Sequence, residues 1–264
     1  MKWMQNGTVE YLASDFLDVP HGFTTRRGGV SRGALESLNL GSHRGDSMEN
    51  VVKNYHILGM AMGFDPERLV LTRQTHSDII RVVGEKDHLG FDHSLYPECD
   101  ALITDTPGVT LGVFTADCTP ILLWDPVTGS VGAAHAGWRG TAADIAGKTV
   151  RAMETAFGCK GEDIRAAIGP NIGPCCFETD ADVPQAMVET YGPAAKVWIR
   201  SAGNKFYVNL KEINALSLRR RGVEMVDLDD HCTACCAELF WSHRRHGAQR
   251  GAQGGFVCCK GGRG

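Results

Sequence analysis

The chain has 264 residues, 43% of them hydrophobic and 22% charged, a composition ordinary for a globular protein with material for one large core. The formal net charge is −4 and no basic stripe is interleaved with aromatic residues, which argues against nucleic acid as a partner. No apolar run is long enough to cross a bilayer and the N-terminal stretch has no secretory apolar core, so no membrane association is expected, the location is expected to be cytoplasmic, and the ten cysteines are expected to be reduced thiols.

No Pro/Ser/Gly tract or charge block divides the sequence, which predicts one domain over residues 1–264. In chain order, His21-Gly22-Phe23-Thr24-Thr25 reads as a short strand entering a Gly-rich turn. Residues 49–63 follow a helical period, with Val51, Tyr55, Leu58 and Met62 on one face and Gly63 as the stop. Residues 69–83 read as one long, bent strand, and residues 109–124 as a strand pair around Asp117 and Cys118, broken at Pro120. Asp125-Pro126-Val127-Thr128-Gly129 is a turn, so the strand at 130–135 should form a hairpin with the one before it. A helix opens at Thr141 with Ile145, Val150, Met153 and Phe157 on its apolar face. Ile164 to Ile168 is a buried strand stopped by Gly169-Pro170, and 182–191 is helical. Asn209 with Glu212 resembles a capping box opening a helix at 210–221; the closing Arg219-Arg220-Arg221 suits the negative end of the helix dipole. Val223 to Leu228 is the last predicted strand. Strands and helices mix without a strict βαβ repeat, which predicts an α+β (mixed α/β layered) sandwich, with mixed, largely antiparallel sheets flanked by helices.

His76, Cys118 and His135 each close an apolar run, and strand ends that converge at one rim are where sites are assembled. Two imidazoles and a thiolate suit zinc, with a fourth position left for water as in a catalytic site. The competing reading needs no metal: Cys118 and His135 can form a thiolate–imidazolium nucleophile pair. Cys232-Thr233-Ala234-Cys235, with His231 before it and Cys236 after it, is a second candidate. A closed zinc site would require a second chelating pair. Cys175-Cys176 and Cys258-Cys259 are adjacent pairs of poor geometry for one ion, so the segment reads as a loop lining. Arg26, Arg27, Arg139, Arg244 and Arg245 lie in Gly-rich or aromatic-flanked turns, and planar guanidinium groups grip phosphate or carboxylate through paired hydrogen bonds. Arg139, directly after the His135 turn, is favoured as functional.

These motifs, from His21-Gly22-Phe23-Thr24-Thr25-Arg26 through Ser37-Leu38-Asn39-Leu40-Gly41, Gln74-Thr75-His76, Asp100-Ala101-Leu102-Ile103-Thr104, Ala116-Asp117-Cys118-Thr119-Pro120 and His135-Ala136-Gly137-Trp138-Arg139-Gly140 to Phe240-Trp241-Ser242-His243-Arg244-Arg245, make the chain resemble the YfiH family, also described as multicopper polyphenol oxidases. The resemblance spans nearly the whole chain. It implies a layered α/β fold, a zinc ion (Zn2+) held by His76, Cys118 and His135, and a purine nucleoside phosphorylase acting on adenosine, inosine and methylthioadenosine, with adenosine deaminase activity. It also links bacterial members to editing of peptidoglycan precursors. The tail at 247–253 follows the family pattern loosely, and Arg250 is carried over from it.

The chemistry is compatible with that implication. Arg139, with Arg26 or Arg244, can hold phosphate, and Asn39 can hydrogen-bond the ribose or base. Zinc lowers the pKa of bound water towards about 7, which suits deamination at the purine C6, and Asp117 can assist or handle a proton. Two other enzyme classes compete. A Cys/His hydrolase editing peptidoglycan precursors would use Cys118 as nucleophile and His135 as base. A copper polyphenol oxidase would need paired His-X-His motifs, and none occurs among the ten histidines; Cu2+ loading in vitro is the simpler origin of copper, since it binds N/S sites more tightly than zinc. Nucleosides and phosphate are the expected partners; the oligomeric state is not legible.

Overall fold

Two six-stranded sheets lie face to face in a computed structural model that describes residues 1–261. The first sheet runs β1 (Lys2–Asn6), β2 (Val9–Ala13), β3 (His21–Thr24), β15 (Gln253–Cys258), β7 (Thr110–Thr115), β4 (Leu69–Val70). The second runs β14 (Met225–Leu228), β10 (Arg165–Ile168), β8 (Thr119–Trp124), β9 (Val131–Ala136), β6 (Ala101–Thr104), β5 (Ile80–Val82). A small third sheet, β11 (Glu178–Thr179), β13 (Lys205–Val208) and β12 (Ile199–Ala202), lies outside these two. The helices are α1 (Met48–Met62), α2 (Trp138–Ala142), α3 (Ile145–Phe157), α4 (Asp182–Tyr191), α5 (Leu210–Arg220) and α6 (His243–His246). Pairing is antiparallel except at β4–β7, β5–β6 and β10–β14, so the mixed, mainly antiparallel layered architecture expected from the sequence is the one found. No helix among the described residues is long and apolar enough to cross a membrane.

Strand β8 shows how the layers form. Leu122 and Trp124 point into the core shared with the first sheet, where Val113 and Phe256 lie; Ile121 and Leu123 point the other way, to Ile145, Val150 and Met153 of α3 and Leu218 of α5. A strand covered on both faces is apolar throughout rather than alternating. Helix α1 matches its expected bounds: the Ser47 side chain accepts from the Asn50 N–H, and Gly63 takes the left-handed C-terminal position at φ 78°. Asn209 caps α5 by accepting from the Glu212 N–H, but its own N–H goes to the Trp198 carbonyl, so the return bond of a capping box is not made.

Three further expectations need correction. Residues 69–83 are not one strand: β4 and β5 belong to different sheets, and the segment between them crosses over. The reason is local. The N–H groups of Thr75, His76 and Ser77 all donate to the Asp100 carboxylate instead of a neighbouring strand. The Gln74 side chain stands in for a strand backbone, donating to the Phe114 carbonyl at 2.8 Å and accepting from the Phe114 N–H at 2.7 Å. Residues 109–124 are not a pair either, because β7 and β8 lie in facing sheets joined by the Ala116-Asp117-Cys118 corner, and Pro120 sits inside β8. The helix expected from Thr141 is two pieces, α2 and α3, separated at Asp144, which adopts φ 62°.

His21, at the start of β3, is buried; its Nδ1 donates to the Val19 carbonyl at 2.7 Å and its Nε2 accepts from the Ser14 N–H at 2.8 Å. A proton on Nε2 would confront the Ser14 N–H, and burial lowers the pKa of His21 below its ordinary value. The folded state therefore binds fewer protons than the unfolded one, and this part of the stability is full above about pH 6.5 and lost as pH falls towards the folded pKa. Urea midpoints should decline from pH 7.5 to 5.5, and NMR should show His21 titrating below the ordinary histidine value; a His21 midpoint at the ordinary value contradicts this.

Candidate metal centre

His76 comes from the crossing between β4 and β5, Cys118 from the corner between the sheets, and His135 from the end of β9. The fold brings all three together: one donor atom from each lies within 4.8 Å of the other two. Cys118 Sγ is 3.8 Å from His76 Nε2, and the two imidazole rings stand at 82° with centroids 5.0 Å apart. Both His76 and Asp117 occupy the left-handed backbone region, at φ 60° and 93°. Non-glycine residues rarely hold that conformation unless their surroundings enforce it, and such positions cluster at functional sites.

At His76, Asp100 supplies much of that enforcement. It is fully buried at the start of β6. One carboxylate oxygen accepts from His135 Nδ1 at 2.8 Å and from the His76 N–H at 3.1 Å; the other accepts from the Thr75 N–H at 3.1 Å and from the Ser77 N–H and hydroxyl, both at 2.7 Å. Because an ionised carboxylate only accepts, His135 carries its proton on Nδ1 and turns Nε2 towards the other donors. Burial would raise the Asp100 carboxyl, but the bonds from His135 and Ser77 hold it at about 2.

Burial alone would also raise the Cys118 thiol, yet the His135 and His76 imidazoles more than reverse this and bring it down to about 6. Burial opposes charge on His135, but the Cys118 sulfur and Asp100 lift it to about 9. Without metal these contacts favour a thiolate beside an imidazolium. The same sulfur and the two ring nitrogens could hold a metal ion, and would offer it the mixed S/N donor set that zinc favours.

Gly137, in the His-Ala-Gly-Trp string, has an ordinary backbone (φ −69°, ψ 173°), but a Cβ there would lie 2.6 Å from the His76 ring and 3.2 Å from Cys118 Sγ. Gly137→Ala should therefore displace His76 without straining the chain, lowering metal affinity by about 10-fold or more while the thermal midpoint moves by only a few degrees. Competition with a chromophoric chelator measures the first and calorimetry the second; unchanged affinity would remove the steric argument.

The three donors line a cleft of about 150 Å³ whose walls include Arg44, His93, Phe114 and Arg250. Burial and the neighbouring Arg44 charge bring Arg250 down to about 10, so an anion between the two guanidinium groups would relieve their repulsion. Among the arginines expected at the site, Arg250 lines this cleft. Arg26 lies over the Trp241 ring at 3.7 Å and donates to the Glu36 and Ala237 carbonyls. Arg244 donates to the carbonyls of Cys176 and Glu178, and Arg139 is exposed over Trp138. Asn39 is buried and accepts from the N–H groups of Gly41 and Ala252, two residues of the cleft wall. Asp117 accepts from the Thr233 hydroxyl at 2.6 Å and the Arg244 N–H at 2.7 Å, which braces the corner that carries Cys118. Sequence reading missed Arg44, His93 and the orienting role of Asp100; none carries a periodic signal.

Residues 20–260 match the family described as multi-copper polyphenol oxidoreductase laccase. The chain belongs to this family. Within it, the chain is 37% identical over 261 residues to the purine nucleoside phosphorylase YlmD of Geobacillus stearothermophilus, covering 97% of this chain and 93% of that protein. It is 36% identical over 245 residues to a purine nucleoside phosphorylase of Bacteroides thetaiotaomicron, covering 90% of each. The fold superposes on the crystal structure of the Bacillus licheniformis protein YfiH with a TM-score of 0.91 at 32% identity, over 98% of this chain and 99% of that one.

Proposed function

We propose that this member of the family is a zinc-dependent purine nucleoside phosphorylase that converts adenosine, inosine or methylthioadenosine and phosphate into the free base and the ribose 1-phosphate (5-methylthioribose 1-phosphate from the last), and that the same site deaminates adenosine. The observation that supports it most is the meeting of His76, Cys118 and His135, oriented by Asp100, in a cleft that also presents Arg44 and Arg250. Relatives that share most of their length with this chain and carry the name purine nucleoside phosphorylase support the same reading.

In phosphorolysis a phosphate oxygen forms a bond to C1′ as the bond from C1′ to the purine nitrogen breaks, and the departing base takes up a proton. Arg44 and Arg250 line the cleft and would bind and orient phosphate, Arg250 through the N–H groups left after its bonds to the His243 ring and the Gly251 carbonyl. His93 and Phe114, ring centroids 5.6 Å apart, give the cleft an aromatic wall for a purine. His76, Cys118 and His135 would hold the zinc, which supplies Lewis acidity to the cleft. Asp100 fixes the His135 tautomer, and Asp117 acts through the Cys118 corner as a positioning residue. Asn39 acts by holding the cleft wall, while Arg26, Arg139 and Arg244 do not line the cleft.

Incubation of the zinc-loaded protein with adenosine and phosphate should give adenine and ribose 1-phosphate, and a slower stream of deaminated product. Chelation should stop both, and zinc should restore both. A specific observation favours a second reading: the thiol at about 6 beside an imidazole at about 9 is also the arrangement of a Cys/His hydrolase. That enzyme would survive chelator and die with iodoacetamide, and such an outcome would replace the metal reading.

A further inference from the structure

The adjacent pair Cys175-Cys176, of poor geometry for an ion when read from the sequence, meets the CxxC pair Cys232 and Cys235 in the fold. Cys175, Cys176, Cys232 and Cys235 place their four sulfurs all within 4.8 Å of one another. Cys175 and Cys235 are 3.5 Å apart and Cys176 and Cys235 are 3.4 Å apart, sulfur to sulfur. Sulfurs bound tetrahedrally to zinc at about 2.3 Å are separated by about 3.8 Å, close to this spacing. We propose that these four cysteines form a second, structural zinc site, separate from the His76–Cys118–His135 centre.

The surroundings are built for it. The Gly173 N–H donates to Cys232 Sγ at 3.2 Å, a bond that favours the thiolate form. A Cβ on Gly173 would sit 3.2 Å from the Cys232 Cβ and 3.3 Å from Cys175 Sγ, so glycine keeps the space in which the pairs converge. The N–H groups of Cys235 and Cys236 both turn back to the Cys232 carbonyl, which folds the CxxC into a tight turn with both its sulfurs in the set. Cys236 packs against the apolar core and is not in the set. Four protein sulfurs complete a tetrahedron and leave no open position, which marks a structural ion rather than a catalytic one. Binding forms four zinc–sulfur bonds, and protons still on the thiols leave to solvent. No oxidant is needed.

The location says what the ion would fasten. One cysteine pair ends the strap at 171–176 and the other the strap at 232–236; the straps touch at Asn171 and Cys232, and the Thr233 N–H donates to the Asn171 carbonyl. Both straps also end on Asp117. The Ile172 N–H donates to its carbonyl at 2.9 Å, and the Thr233 hydroxyl to its carboxylate at 2.6 Å. A zinc ion joining the straps would therefore hold the left-handed Asp117 corner, one residue from Cys118.

The test uses the full chain purified under reducing, oxygen-free conditions, loaded with zinc and freed of excess. Elemental analysis should find two zinc ions per chain in the unmodified protein and one in His76→Ala/Cys118→Ala. X-ray absorption of that variant should show four sulfurs at about 2.3 Å. Adding Cys232→Ser/Cys235→Ser should remove the remaining ion. Should that variant fail to fold, absorption of the unmodified protein decides the matter: both sites filled average about 2.5 sulfurs per zinc, and the first site alone gives one. A zinc-free His76→Ala/Cys118→Ala protein, a nitrogen- or oxygen-rich shell, iron in place of zinc, or a disulfide among the four cysteines in the unoxidised protein would each overturn the proposal.

Discussion

Cys118→Ala should leave a folded protein that no longer retains metal at the His76–His135 centre and that phosphorolyses adenosine on the order of 10³-fold more slowly or worse, a loss of about 4 kcal/mol of transition-state stabilisation. The thiolate is the one anionic donor of the three, and the two imidazoles alone form a weak and incomplete set. Because the side chain is small and half-buried, truncation removes little core, so the thermal midpoint of the metal-free forms should differ little. Both deamination and phosphorolysis should fall together, since one site is proposed for both. Chromatographic product analysis beside elemental analysis checks this, and phosphorolysis that persists after the metal has gone would separate the two activities and refute the shared site.

Asp100→Asn should have the second largest effect, and on two quantities at once. The carboxylate accepts from three successive N–H groups, a hydroxyl and an imidazole, and an amide would present its own N–H groups to donors. Loss of this orienting acceptor should lower metal affinity by about 10- to 100-fold. Leaving buried donors unmatched should cost about 3–5 kcal/mol of stability. The pH dependence follows with its sign. The folded carboxyl sits at about 2, below its ordinary value of 3.8, so its contribution is full above about pH 4 and disappears as pH falls through about 2. The asparagine variant should lack that component of the acid transition. Urea melts between pH 2 and 5 on both proteins provide the comparison; parallel acid profiles would mean that Asp100 is not the anchor described.

The meeting of His76, Cys118 and His135 was legible in the sequence because each closes an apolar run, where a strand meets a rim. Their second partner was not. Asp100 opens the strand Ala101–Thr104, and its partners at 75–77 and 135 are adjacent only in three dimensions. The arginines divided for a similar reason. Arg26 and Arg244 have the residue type and flanking sequence of anion binders, but carbonyl groups of distant loops occupy their guanidinium donors, whereas Arg44, in a plain polar loop, faces the cleft. Among the elements, helix 48–62 was readable from its period and its Gly63 stop, while the central strand 253–258 was not. Its Gly254 and Gly255 lack strand propensity, and only the fold shows why they are small: a Cβ would meet the Val113 carbonyl at 2.7 Å or the Phe23 ring at 3.1 Å.

The amide of Gln74 has a consequence for the protein's behaviour in a crowded solution. Strand β4 ends the first sheet after only two residues, which would leave Phe114 on β7 with an open N–H and carbonyl. Such bare rims recruit foreign chains into intermolecular ribbons. A side chain that fills both positions presents no continuing backbone to extend, so the rim beside the cleft stays accessible to small solutes and closed to polymerisation.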